Sequence, residues 1–177
     1  MKQIVTKLIS SFLFILLGVF SLTAQESIHD LARNGDLTKI KALVENDATI
    51  VNLQSEQGFS PLLLAVYYEK EEVANYLIEN GATVNEDSAM GSPLMAAVVK
   101  NNYTLTEKLL AKGADVNATD ANGTTSLIYA VTFQLEDIVD LLLKHNPNIL
   151  HKDEKGFSAI DYAEKLPNKA IENKLKN

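Results

Sequence analysis

The 177-residue chain contains no cysteine, which excludes disulfide stapling and lipid attachment at a cysteine beside an export cleavage site. Arginine is nearly absent: every basic residue other than Arg33 is lysine, which argues against an arginine-built reader of phosphates or base edges. No Gly-x-Ser-x-Gly elbow, P-loop or dinucleotide glycine pattern occurs anywhere, so the common nucleophile and phosphate motifs are missing. Beyond residue 25 no stretch is long and apolar enough to span a bilayer.

What is present is repetition. Ser60-Pro61-Leu62, Ser92-Pro93-Leu94, Thr125-Ser126-Leu127 and Ser158-Ala159-Ile160 start 32, 33 and 33 residues apart. A period in the low thirties marks one supersecondary unit copied and stacked on itself. Such a stack presents a surface for holding something and brings no reaction chemistry of its own.

Each Ser or Thr precedes an apolar run, where its hydroxyl caps a helix N-terminus, and Pro61 and Pro93 suit the first helical position. A short first helix is predicted in each unit, with Ala65, Ala97 and Ala130 on its inward face. After a polar step (Glu69-Lys70, Asn101-Asn102, Gln134-Leu135) a second helix follows. Its stripe is Val73, Ala74, Leu77 and Ile78 in one copy, and Ile138, Val139, Leu142 and Leu143 in another. Gly81 and Gly113 supply the left-handed residue that ends such a helix, and Asp47 and Asn146 are expected to take the same place in other copies. The polar, turn-rich stretches beyond read as hairpin-like loops.

Asp120 to Ala130 and Gly113-Ala114-Asp115-Val116-Asn117 resemble the turn, helix start and helix-end signatures of the ankyrin repeat family. The resemblance implies an all-α repeat solenoid over 25–177, about five units including degenerate caps, at roughly 26–56, 57–88, 89–121, 122–154 and 155–175. Where the family keeps histidine, this chain has Leu63, Met95, Ile128 and Asp161, with His29 as the one match. Apolar packing is expected to replace the polar cross-links of that histidine.

Residues 1–24 differ in kind. Lys2 and Lys7 precede an uncharged stretch from Leu8 to Gln25, the pattern of a secretory signal peptide. Cleavage is expected after Ala24, although Leu22 is larger than the residue usually found three places before the cut. An uncleaved membrane anchor is the alternative, since the stretch approaches the roughly 18 residues that can span a bilayer. Without Lys2 and Lys7, 14 basic residues face 23 acidic ones, and this net charge repels nucleic acid.

The remaining chemistry is sparse. His145 and His151 read as exposed turn residues, and His29 as a structural hydrogen-bonding group. The carboxylate pairs Glu71-Glu72, Glu86-Asp87, Glu136-Asp137 and Asp153-Glu154 are expected on solvated faces. Turn chemistry accounts for the Asn-x-Thr triplets at Asn102, Asn117 and Asn122. No catalytic residue, cofactor or metal is assigned.

In ankyrin arrays partners usually lie along the concave side, on turn tips and the late positions of first helices. Carried onto this chain, the candidates are Phe59, Tyr67, Tyr68, Lys100, Thr132, Phe133 and Phe157. Aromatic residues gather there, as they do where partners dock. The expected function is an exported monomeric module that presents this surface to an unidentified protein partner, in a periplasm or outside the cell. A membrane-anchored accessory subunit, and a small-ligand protein or enzyme using the groove, are the alternatives.

Overall fold

A computed structural model describes residues 26–86, 88 and 90–176. The expected signal peptide lies outside them. They form five helix pairs: α1 (Ile28–Asn34) with α2 (Leu37–Asn46), α3 (Pro61–Tyr67) with α4 (Glu71–Glu79), and α5 (Pro93–Val99) with α6 (Tyr103–Ala111). The fourth and fifth are α7 (Ser126–Thr132) with α8 (Glu136–Leu143), and α9 (Ala159–Lys165) with α10 (Lys169–Lys176). A short 3₁₀ turn, Ala48–Asn52, follows α2. No strand is formed among the described residues, where Thr119 and Thr125 make an isolated antiparallel bridge.

The first helices start where the hydroxyls dictate. Ser60, Ser92, Thr125 and Ser158 accept from the amides of Leu63, Met95, Ile128 and Asp161, three residues on. Satisfying that otherwise orphaned donor fixes the first turn. In α9 the carboxylate of Asp161 also accepts from the Ser158 amide, closing a capping box.

These seven-residue helices are too short to persist alone, and stacking holds them. α1, α3, α5, α7 and α9 pack in sequence as an inner row. Ala32, Ala65, Ala97 and Ala130 are fully buried between neighbours, where a larger side chain would force the helices apart. The second helices form an outer row, α2 against α4 and α6 against α8 against α10. Their stripes, including Val73, Leu77, Leu105, Leu109, Ile138 and Leu142, close one continuous apolar core.

Among the described residues, asparagines at three equivalent loop positions bond the main chain of the next unit. Asn52 donates to the Gly81 carbonyl (3.1 Å) and accepts from the Thr83 amide (2.7 Å). Asn85 does the same with Gly113 (2.9 Å) and Asp115 (2.8 Å). Asn117 accepts from the Asn148 amide at 2.7 Å. Each side-chain amide thus satisfies main-chain groups about one repeat further on, which pins the pitch of the stack.

The helix ends modify two expectations. Gly81, Gly113 and Asn146 are left-handed, with φ of 87°, 86° and 52°. Asp47 is not: its φ is −149°, and its carboxylate instead caps the 3₁₀ turn by accepting from Thr49. Because Ser27 is the cap of α1, the position three residues on belongs to Asp30, so His29 stands one place before the expected histidine site.

Candidate partner-binding surface

The loops between units end in tight turns. The amides of Gly58, Gly91, Gly123 and Gly156 donate to the carbonyls of Ser55, Ser88, Asp120 and Asp153. All four glycines have positive φ. At Gly91 a Cβ would also collide with the Met95 sulfur, so glycine is required there.

In the last two turns a carboxylate organises the loop. Asp120 accepts from the Asn122 and Thr124 amides at 2.9 Å and from the Tyr129 hydroxyl at 2.6 Å. Asp153 repeats this with Lys155 and Phe157 (3.0 Å each) and Tyr162 (2.6 Å). Burial pushes both carboxyls up, but the hydroxyl and amide donors outweigh it and hold them below the usual range. Tyr129, through burial and then the Asp120 carboxylate, is pushed up to about 12. Tyr162 reaches about 12 through its bond to Asp153. These Asp–Tyr links go beyond what the repeat pattern alone indicates, although their shared nine-residue offset is visible in the sequence.

Two expectations about polar residues change here. Asp153 is buried, 8% exposed, rather than solvated. His151 is half-buried, with Nε2 2.8 Å from the Gly123 carbonyl, as His29 Nε2 is 2.7 Å from that of Leu53. His145 is exposed as expected.

Glu86 also leaves the solvated class. Ser60, the cap of α3 in the preceding unit, lies beside its carboxyl, and its hydroxyl and main-chain N–H favour the charged form in part. Its Oε1 is sealed from solvent and has no partner among the described residues. Burial, only partly offset by Ser60, pushes the Glu86 carboxyl up. Asp87 lies outside the described residues. The three Asn-x-Thr asparagines sit in folded structure: Asn102 caps α6, Asn117 holds the next unit, and Asn122 lies in the third turn.

The turn tips and the C-terminal ends of the inner helices share one face. Tyr68 and Phe133, at equivalent positions after α3 and α7, are exposed at 43% and 49%. Tyr67 and Phe59 are half-buried and pack on the core. Phe157 is half-buried, with the Lys165 ammonium 3.2 Å from its ring centroid. Lys100 lies over Tyr67 at 4.5 Å and faces Glu69 at 3.8 Å. Thr132 is exposed and donates to the Ile128 carbonyl at 2.8 Å. The candidates therefore divide into exposed rings and rings that are largely packed.

Between the third and fourth turns this face deepens into a groove of about 480 Å³, lined by Tyr129, Thr132, Phe133, Tyr162, Glu154 and Lys155 among others. No group of three or more His, Asp or Glu among the described residues could hold a metal ion. None of their helices is long and apolar enough to cross a membrane.

The sequence matches a family model described as ankyrin repeats, in three copies over residues 4–88, 28–120 and 94–172. The chain belongs to the ankyrin repeat family. As an ankyrin array it carries the fold of a protein–protein interaction module. It is 40% identical over 62 residues to a BTB/POZ domain-containing protein 3 of Schizosaccharomyces pombe, covering 35% of this chain and 12% of that protein. It is 38% identical over 56 residues to the human DNA-binding protein RFXANK, covering 32% and 22%. It is 39% identical over 70 residues to the ANK repeat-containing protein nipk-1 of Caenorhabditis elegans, covering 35% and 12%. The matched stretches are thus a small part of these relatives, and they speak for the repeats alone.

Proposed function

We propose that this ankyrin array is an exported binding module, which holds a protein partner against the inner face running from Tyr68 to the groove beside Phe133. The observation that carries this reading is the exposure of those two rings, 43% and 49%, at equivalent places on one face. Large rings left open on a rigid surface lose little conformational entropy on contact and bury much apolar area. A pre-stacked array also needs little ordering to bind.

Export rests on the basic start and the uncharged stretch from Leu8 to Gln25. The acidic balance of the rest disfavours nucleic acid as partner, and the domain acts as a monomer. The mass of the protein recovered from its native host tests export: a chain beginning at Gln25 supports it. A full-length chain in the membrane fraction supports an anchored accessory subunit instead. For the surface, replacing Tyr68 and Phe133 together by Ala is expected to abolish partner capture while helicity is kept. Undiminished capture overturns the proposed face.

A further inference from the structure

The described residues contain three ring–ring pairs, and their treatment differs. Tyr67 and Tyr68 meet edge-on at 5.4 Å, and each carries a cation from a neighbouring unit: Lys100 over Tyr67 and Arg33 over Tyr68. Phe157 and Tyr162 lie 5.6 Å apart, and Lys165 covers Phe157. Tyr129 and Phe133 are stacked at 5.9 Å with an interplanar angle of 28°. Among the described residues no lysine or arginine lies over either of them.

The cations on both sides are engaged elsewhere. Lys100, in the unit before, is held by Tyr67 and Glu69. Lys165, in the unit after and one repeat on from Thr132, is held by Phe157. The groove walls around the open pair are acidic. Asp153 and Glu154 line it against the one ammonium of Lys155, and Asp120 stands behind Tyr129 at hydrogen-bond distance. A stacked pair presents its negative faces, and neighbouring carboxylates add to that potential.

We infer that the Tyr129–Phe133 pair is the seat for a lysine or arginine side chain of the partner, which enters the groove and supplies the cation that this chain provides at its other ring pairs. This rests on the reading of the inner face as the partner surface and narrows it to a partner segment with an exposed basic residue. Lys155, at the rim, opposes the incoming charge and sets a limit on affinity.

The test is a titration of the full chain with the peptide acetyl-Gly-Ser-Lys-Ser-Gly-amide, following the ring resonances of Phe133 and Tyr129 by NMR. Its Nε-acetyl-lysine and glutamate counterparts serve as controls. The lysine peptide is expected to shift both rings saturably, and acetylation to weaken binding about fivefold or more, as loss of a cation–π contact does. Phe133→Leu, which keeps apolar bulk without the ring, should weaken the lysine peptide similarly, and Lys155→Ala should strengthen it. Equal binding of the lysine and acetyl-lysine peptides, an unaffected Phe133→Leu, or no shift of these rings at millimolar peptide overturns the inference. If partner capture still requires Tyr68 and Phe133 while the lysine peptide leaves the groove untouched, the face is retained and the cation is removed.

Discussion

The second loop between units and the last two loops each bring a carboxylate in from solvent, yet the outcomes are opposite. Asp120 and Asp153 each collect two amides and a tyrosine hydroxyl, and their ionised forms are favoured. Glu86 has only the neighbouring Ser60 to favour its charge, leaves one oxygen unpartnered, and is disfavoured as an anion. Donor supply, more than burial, decides whether a turn carboxylate strengthens or weakens the stack. The short side chain of Asp loops back onto its own turn. Glu86 reaches instead to the unit before it.

The apolar stack beneath both regions sets the scale for breaking this contrast. Leu142→Ala, at a fully buried position of α8, is expected to cost about 2 to 5 kcal/mol by chemical denaturation. Asp153→Ala strands the Tyr162 hydroxyl and two turn amides, and a loss of about 2 kcal/mol is expected. Hydrogen exchange should show α9 and α10 opening first in that variant.

The pH dependence sharpens the comparison with a smaller effect. The fold holds the Glu86 proton more tightly than the unfolded chain does, so its charge costs stability at neutral pH. That cost fades as pH falls through the raised folded value toward the ordinary 4.5. Asp120 and Asp153 act oppositely: their contribution is present above the ordinary 3.8 and is lost as pH falls through their lowered values. Glu86→Gln should therefore raise the denaturation midpoint at pH 7 and lose this advantage near pH 4. An advantage that persists unchanged at pH 4 would show that donor supply is not the cause.

The smallest effect concerns the step between paired helices. Gln134 holds a φ of 58° where Gly35 serves the first pair. Gln134→Gly should gain about 0.5 kcal/mol, the relief of a left-handed side chain less the freedom given to the unfolded chain. Asn101→Gly should gain less, because asparagine tolerates that region.

Local features were legible in the sequence because they are written within a few residues. The hydroxyl caps at Ser60 and Ser92 satisfy an amide three residues on, their prolines occupy a position that needs no donor, and the glycines at 81 and 113 supply the left-handed residue after a helix. Links between units were not legible: Asn85 and Glu86 find partners roughly one repeat away, and no local pattern names them. The candidate face was legible in position but not in exposure. Tyr67 and Tyr68 are adjacent, yet one step at the end of α3 turns the first toward the core and leaves the second open. His29 was misplaced by one residue because Ser27, rather than the spacing to later units, sets the start of α1.

The proposal that a partner sits on the inner face can be tested by photo-crosslinking in the native host, with a benzophenone side chain in place of Phe133 or of Tyr103, which is exposed on the second helix of the third pair. A discrete adduct from position 133 and none from position 103 is the predicted result. An adduct from position 103 alone would place the partner on the outer row and contradict the account.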